Sequence, residues 1–97
     1  MAYCLAVRWT IKQGELDAVL TALRPLVEAS QAEAGCEIYQ AHRDPDDPNV
    51  IFLYERYVDE AAYRAHAESE HFETYAVGEC FPRRASSERS VYTTVEP

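Results

Sequence analysis

The chain has 97 residues, 47% of them hydrophobic and 27% charged, with a formal net charge of −8. These figures describe a single small domain, 1–97, able to bury about 65% of its unfolded surface, and they exclude a disordered or membrane-embedded chain. The acid excess repels phosphate backbones and anionic lipid, so neither nucleic acid nor a membrane surface is expected as a partner; Arg83-Arg84 is the only clustered basic pair. No apolar run approaches the ~20 residues of a membrane span, and "MAYCLAVRW" lacks both a basic leader region and a cleavage site, so a cytoplasmic location is expected. Cys4, Cys36 and Cys80 are odd in number and widely spaced, which fits buried reduced thiols better than disulfides or a zinc knuckle.

In chain order, Tyr3, Leu5, Val7, Trp9 and Ile11 alternate with smaller or polar residues and predict a first strand with one large apolar face. After a turn at Gly14, Leu16, Val19, Leu20, Leu23 and Val27 recur at helical spacing to about Ala34, with Gly35 suited to cap the end and Pro25 expected to kink or break the helix. Cys36 to Arg43 is a second strand, and "DPDDPN" is a turn by composition. Val50 to Val58 is a third strand whose two faces are both largely apolar or aromatic, which implies cover on both sides. Asp59 is a good N-cap for a helix carrying Ala62, Tyr63 and His66 on one side, and Ser69 can start a second short helix presenting Phe72 and Ala76, with Tyr75 beside them. "RSVYTTVE" is a last strand. The order β-α-β-β-α-β is α+β and ferredoxin-like, an antiparallel sheet with helices on one face. The second face of the third strand then calls for a partner, and a homodimer packed sheet against sheet is expected.

Two histidines, His66 and His71, stand five apart in "RAHAESEH". On a continuous helix they would lie about 140° apart, so one metal ion could not be held by both, and no metal is expected. The isolated glycines make no phosphate-binding loop, and no flavin, nicotinamide or serine-hydrolase motif is present. What remains is an interior rich in flat apolar rings, among them Trp9, Tyr39, Phe52, Tyr54, Tyr57, Tyr63, Phe72 and Tyr75, suited to a planar ring substrate and equally to plain core packing. His66 faces the sheet, where a neutral imidazole is either an acid–base catalyst or a hydrogen-bonded structural residue. Glu55, mid-strand, needs a partner, expected to be an arginine. His71, next to the cap at Ser69, reads as structural or interfacial, and His42 carries no signal.

The stretch from Gly35 to Tyr75 resembles the antibiotic biosynthesis monooxygenase family. The resemblance rests on Gly35-Cys36 opening the second strand, Glu55-x-Tyr57 on the third, Ala61 and Ala62 followed by His66 on the helix, and Ser69-x-His71-Phe72 after it. It implies a dimeric α+β barrel with a pocket between helices and sheet in each subunit. Members include cofactor-free oxygenases of quinols and of anthrone-type polyketides, haem-degrading enzymes and an isomerase of a phosphorylated sugar. Haem degraders carry Trp where His66 stands, His where Ala76 stands and an Asn on the first strand. The only Asn here is Asn49, in a turn, so the likeness does not extend to haem cleavage. The isomerase branch shares the "YExYxDExA…H" stretch, and an arginine such as Arg8 or Arg43 would have to bind its phosphate.

The resulting expectation is a monooxygenase that uses no cofactor and oxidises a small aromatic substrate, quinol-like or polycyclic phenolic, with O2. His66 would be catalytic, Trp9, Tyr57, Tyr63, Phe72 and Tyr75 would bind substrate, and Glu55 and His71 would be structural or interfacial. The phosphosugar isomerase and a non-catalytic dimeric binding protein stand as alternatives.

Overall fold

A computed structural model describes residues 1–96. Strand β1 (Tyr3–Ile11) is followed by helix α1 (Leu16–Gln31), strands β2 (Cys36–Arg43) and β3 (Val50–Tyr57), helix α2 (Glu60–Ala67), a π-helix (Phe72–Cys80), a short 3₁₀ turn (Phe81–Arg83) and strand β4 (Arg84–Thr93). The strands form one antiparallel sheet in the order β2-β3-β1-β4. This is the ferredoxin-like α+β arrangement, and among the described residues no helix is long and apolar enough to cross a membrane.

The alternation in β1 decides which face is inside. Leu5, Val7, Trp9 and Ile11 are all buried, as are Ile51, Leu53, Glu55 and Tyr57 beside them on β3 and Tyr39 on β2. Val19, Ala22, Leu23 and Leu26 of α1 close over this face, each large side chain contributing about 1.5–3 kcal/mol by leaving water. Phe52, Ile38 and Tyr92 point the other way and are exposed, so the outer face of the sheet is open in a single chain.

Helix starts and stops follow local chemistry. The Asp59 carboxylate accepts from the Ala62 N–H at 2.9 Å and caps α2. One hydroxyl then ends α2 and starts the next element: Ser69 Oγ donates to the His66 carbonyl at 2.6 Å and accepts from the Phe72 N–H at 3.2 Å. The expected second short helix is present but wound as a π-helix, in which the Phe81 N–H reaches back five residues to the Ala76 carbonyl.

Three local expectations are corrected. Helix α1 runs on through Pro25, because the Thr21 carbonyl that loses its partner lies on an exposed turn and is open to water. Gly35 does not cap that helix, which ends at Gln31 with Ala32 as its cap; Gly14 is the one described glycine at positive φ. Gly35 is small for another reason: a Cβ there would lie 2.5 Å from the Ala62 Cβ, so its missing side chain lets α2 approach the start of β2. The last strand begins five residues earlier than "RSVYTTVE" suggests. It also carries a bulge: Thr10 pairs with Ser86 but Ile11 pairs with Arg84, leaving Ala85 unmatched.

Candidate active site

A cavity of about 410 Å3 lies between the inner face of the sheet and the helices that follow β3. Its floor comes from Leu5, Val7, Trp9, Leu53 and Glu55, and its walls from Tyr39, Tyr63, Phe72, Ala76 and Phe81. Along β4 the border is Arg84, Ser87 and Arg89. A second groove, between α1 and β2, is similar in size but is bordered by the exposed ends of Arg24, Glu28 and Arg43 and holds no buried titratable group. The first cavity does, and it is the better place for chemistry.

That group is Glu55, 5% exposed in the middle of β3. Burial pushes its carboxyl up to about 7; the Tyr57 hydroxyl, which donates to Glu55 Oε1 at 2.7 Å, and the more distant charge of Arg89 pull the other way. The expected arginine salt bridge is replaced by this tyrosine hydrogen bond, because the neighbouring strand positions on the inner face are Leu5 and Tyr39. Tyr57 is fully buried beneath the cavity and does not line it, and its own phenol is raised well above the ordinary range by burial and by Glu55.

His66 lies behind the wall. It is 1% exposed, packed at ring-centroid distances of 5.2 Å from Tyr39, 5.5 Å from Tyr57 and 5.2 Å from Phe72, and burial lowers its pKa below the usual imidazole value. Its Nδ1 meets Glu33 Oε2 at 2.7 Å, while its Nε2 is buried without a partner among the described residues. His71 Nε2 meets the same Glu33 oxygen at 2.5 Å. With Glu33 ionised, both ring nitrogens donate to one acceptor, and the loop after α1 is tied to the junction between α2 and the π-helix. The expectation that helical spacing keeps the two histidines from a common point is thereby corrected: the turn at Ser69 folds His71 back toward His66. The donor atoms of Glu33, His66 and His71 lie within 4.8 Å of one another, a set with the chemistry to hold a metal ion.

Of the other sequence-selected residues, Trp9, Tyr63 and Phe72 line the cavity, and Tyr75 does not. It faces a separate groove with Ala18, Thr21, Ala22, Pro25 and Glu79. Sequence reasoning missed Arg84 and Arg89. The Arg84 guanidinium lies 3.9 Å from the Phe81 ring centroid, and Arg89 donates to the Tyr63 hydroxyl at 3.0 Å. Strand periodicity puts residues 84 and 89 on opposite faces; the bulge at Ala85 brings both to the inner one.

The antibiotic biosynthesis monooxygenase family profile matches residues 2–77. The chain belongs to that family. Among solved structures, a candidate antibiotic biosynthesis monooxygenase from Nitrosomonas europaea superimposes with a TM-score of 0.91 at 26% identity, covering 99% of this chain and 92% of that one. A Pseudomonas aeruginosa protein gives 0.89 at 28% identity, covering 98% and 95%. A Mycobacterium tuberculosis protein, 19% identical with a TM-score of 0.89 over 100% and 98% of the two chains, shares the fold. No curated protein matches the sequence. The residues carrying the family resemblance are those at which the elements of this chain touch: Gly35 against Ala62, Glu55 bonded to Tyr57, His66 and His71 on Glu33, and Ser69 between two helices.

Proposed function

We propose that the protein oxidises a quinol-like or anthrone-type substrate with O2, without a flavin or metal, and that Glu55 rather than His66 is the base. The observation that carries this reading is a carboxyl poised near neutrality in the floor of a cavity walled by aromatic rings. A group of that pKa accepts a proton from an activated phenol or benzylic carbon at ordinary pH, and the resulting anion is electron-rich enough to reduce O2 by one electron. For an anthrone, the substrate radical and superoxide combine, and protonation gives a C–O–OH group. Loss of water then leaves the new carbonyl, so one O2 gives one inserted oxygen and one water. The protein supplies position and proton control: Tyr63 and Phe72 flank the ring, and Tyr57 holds the Glu55 carboxylate in place. His66 supports the wall from behind.

Homodimer formation belongs to the same reading. Ile38, Phe52 and Tyr92 are large apolar side chains exposed on the open face of the sheet, which a second copy would cover. The test of activity is oxygen uptake with dihydroxynaphthalenes, anthrone and menadiol, measured against autoxidation without protein. Wild type should exceed the blank, and Glu55→Gln should lose about 10²-fold or more of the catalysed rate. If wild type and variant both match the blank across the panel, a binding role without catalysis takes the place of the oxygenase.

A further inference from the structure

We propose that the cavity selects ring substrates bearing an anionic substituent, such as a carboxylate ortho to the phenol, and that Arg84 and Arg89 are the residues that read it. The inference rests on the cavity being the substrate site, and it adds a specificity that neither the aromatic walls nor Glu55 provides.

Three observations carry it. The first is the placement of charge. In a chain with 17 acidic and 9 basic residues, two of the arginines border one cavity, on a single strand. Arg56, Arg64 and Arg83 are each matched to a nearby carboxylate, whereas among the described residues Arg8, Arg24, Arg43, Arg84 and Arg89 form no ion pair. Of these five, Arg8, Arg24 and Arg43 are exposed away from this cavity, Arg84 and Arg89 border it, and Arg84 alone is partly buried. The second is how they are held. Arg84 is partly buried, with its guanidinium against the Phe81 ring and 5.9 Å from the Trp9 ring centroid. Arg89 sits 5.3 Å from the Tyr63 ring centroid and bonds the Tyr63 hydroxyl. Aromatic faces orient a guanidinium and leave its N–H edges available, and burial without a counter-anion works against its charge, an effect seen in the lowered pKa of Arg84. An incoming carboxylate relieves that cost through paired N–H···O bonds.

The third observation is the bulge. Ala85 is the extra residue that turns Arg84 to the inner face, and Arg89 lies on that face opposite Val7. The two side chains approach the cavity from positions four residues apart along β1, about 13 Å of strand, with Ser87 between them. The rest of the lining distinguishes among anions. Apart from Glu55, Ser87, the Tyr hydroxyls and the Trp9 indole N–H, which has no partner among the described residues, it is apolar, so a flat ring is accommodated while most of the several hydroxyls of a phosphosugar would go unpaired.

Two redox-inert probes separate the contributions: 1-hydroxy-2-naphthoate, and its methyl ester, which keeps the ring and phenol but lacks the charge. Binding is read by quenching of Trp9, the only tryptophan, and by titration calorimetry at 0.15 M salt. The acid should bind at least 10-fold more tightly than the ester, and in Arg84→Gln/Arg89→Gln the preference should fall to within 2-fold while ester affinity is retained. Equal binding of acid and ester to wild type overturns the anion subsite and leaves the aromatic pocket standing. A preference that survives in the double variant overturns the assignment to these arginines. Binding of neither probe overturns the pocket reading and this inference together. Competition by fructose 6-phosphate as effective as that of the acid overturns the requirement for a ring.

Discussion

Replacing Glu55 by glutamine should make the protein more stable at pH 8 than the native sequence, by an amount that vanishes in acid. A carboxyl whose pKa rises from 4.5 unfolded to about 7 folded binds its proton more tightly in the folded state. Between those two values the folded protein holds a proton that the unfolded chain has lost, so stability falls as pH rises. Full stability from this group is present below about 4.5 and has gone above about 7. The interval is about 2.5 pH units, and at 1.36 kcal/mol per unit the loss is about 3 kcal/mol. Glutamine keeps the shape and can still accept the Tyr57 hydroxyl, but it does not titrate. Urea unfolding of both proteins from pH 4 to 8 cancels the contributions of all other groups. The difference should grow to roughly 2 M in midpoint by pH 8, taking a slope of about 1.5 kcal/mol per M. A difference that stays flat across the range would refute the reasoning, because Glu55 would then titrate alike in the folded and unfolded protein and its carboxyl would not be poised for proton transfer near neutrality. The same titration should appear in the catalysed rate of oxygen uptake, rising through pH 7 as Glu55 ionises.

Gly35→Ala should cost about 1–3 kcal/mol in thermal unfolding, since its Cβ would collide with that of Ala62, and Ala62→Gly should restore part of the loss. Asp59→Ala removes the cap of α2 and should cost about 1 kcal/mol, with Asp59→Asn losing much less. Glu33→Gln leaves two imidazoles sharing one neutral oxygen. It should lower the pKa of the Cys36 thiol, which burial first and Glu33 second push up to about 11, so alkylation of Cys36 at pH 8.5 should speed up. An unchanged alkylation rate would mean that burial alone sets that thiol.

The regular part of the structure was legible because each signal was repeated along an element. In β1 five large apolar residues fall on one face at period two, and no other assignment buries Leu5, Val7, Trp9 and Ile11 together. Asp59 and Ser69 were legible as caps, since a short polar side chain directly before a helical stripe has one favourable use. The candidate site was legible in its rings and not in its charges. Helical spacing runs on to about Ala34 and puts Glu33 in the last turn of α1, whereas the helix ends at Gln31 and Glu33 follows it in a loop; its meeting with His66 and His71 also depends on a fold-back at Ser69. Arg84 was lost because period-two counting runs backward from "RSVYTTVE" and has no means of skipping Ala85. Glu55 was correctly marked as buried, and its partner Tyr57 lies two residues on along the same face of β3; spacing did not show that the positions opposite, Leu5 and Tyr39, offer no arginine. That is a matter of register and not of composition.

The bulge at Ala85 also bears on how relatives of this protein diverge. Point substitutions along β4 change what one position offers the cavity, whereas the bulge sets the phase of the residues before Ser86 against those after it. In an unbulged ladder Ala85 would stand opposite Ile11 and Arg84 would turn to the outer surface, so the cation at the interior rim depends on a backbone irregularity and not on the identity of any side chain. Deleting Ala85 would remove the bulge and still leave Arg84 opposite Ile11, so the charge at this rim follows the phase of the strand and not its length. Family members should therefore be compared by the pairing of this strand before they are compared by sequence identity.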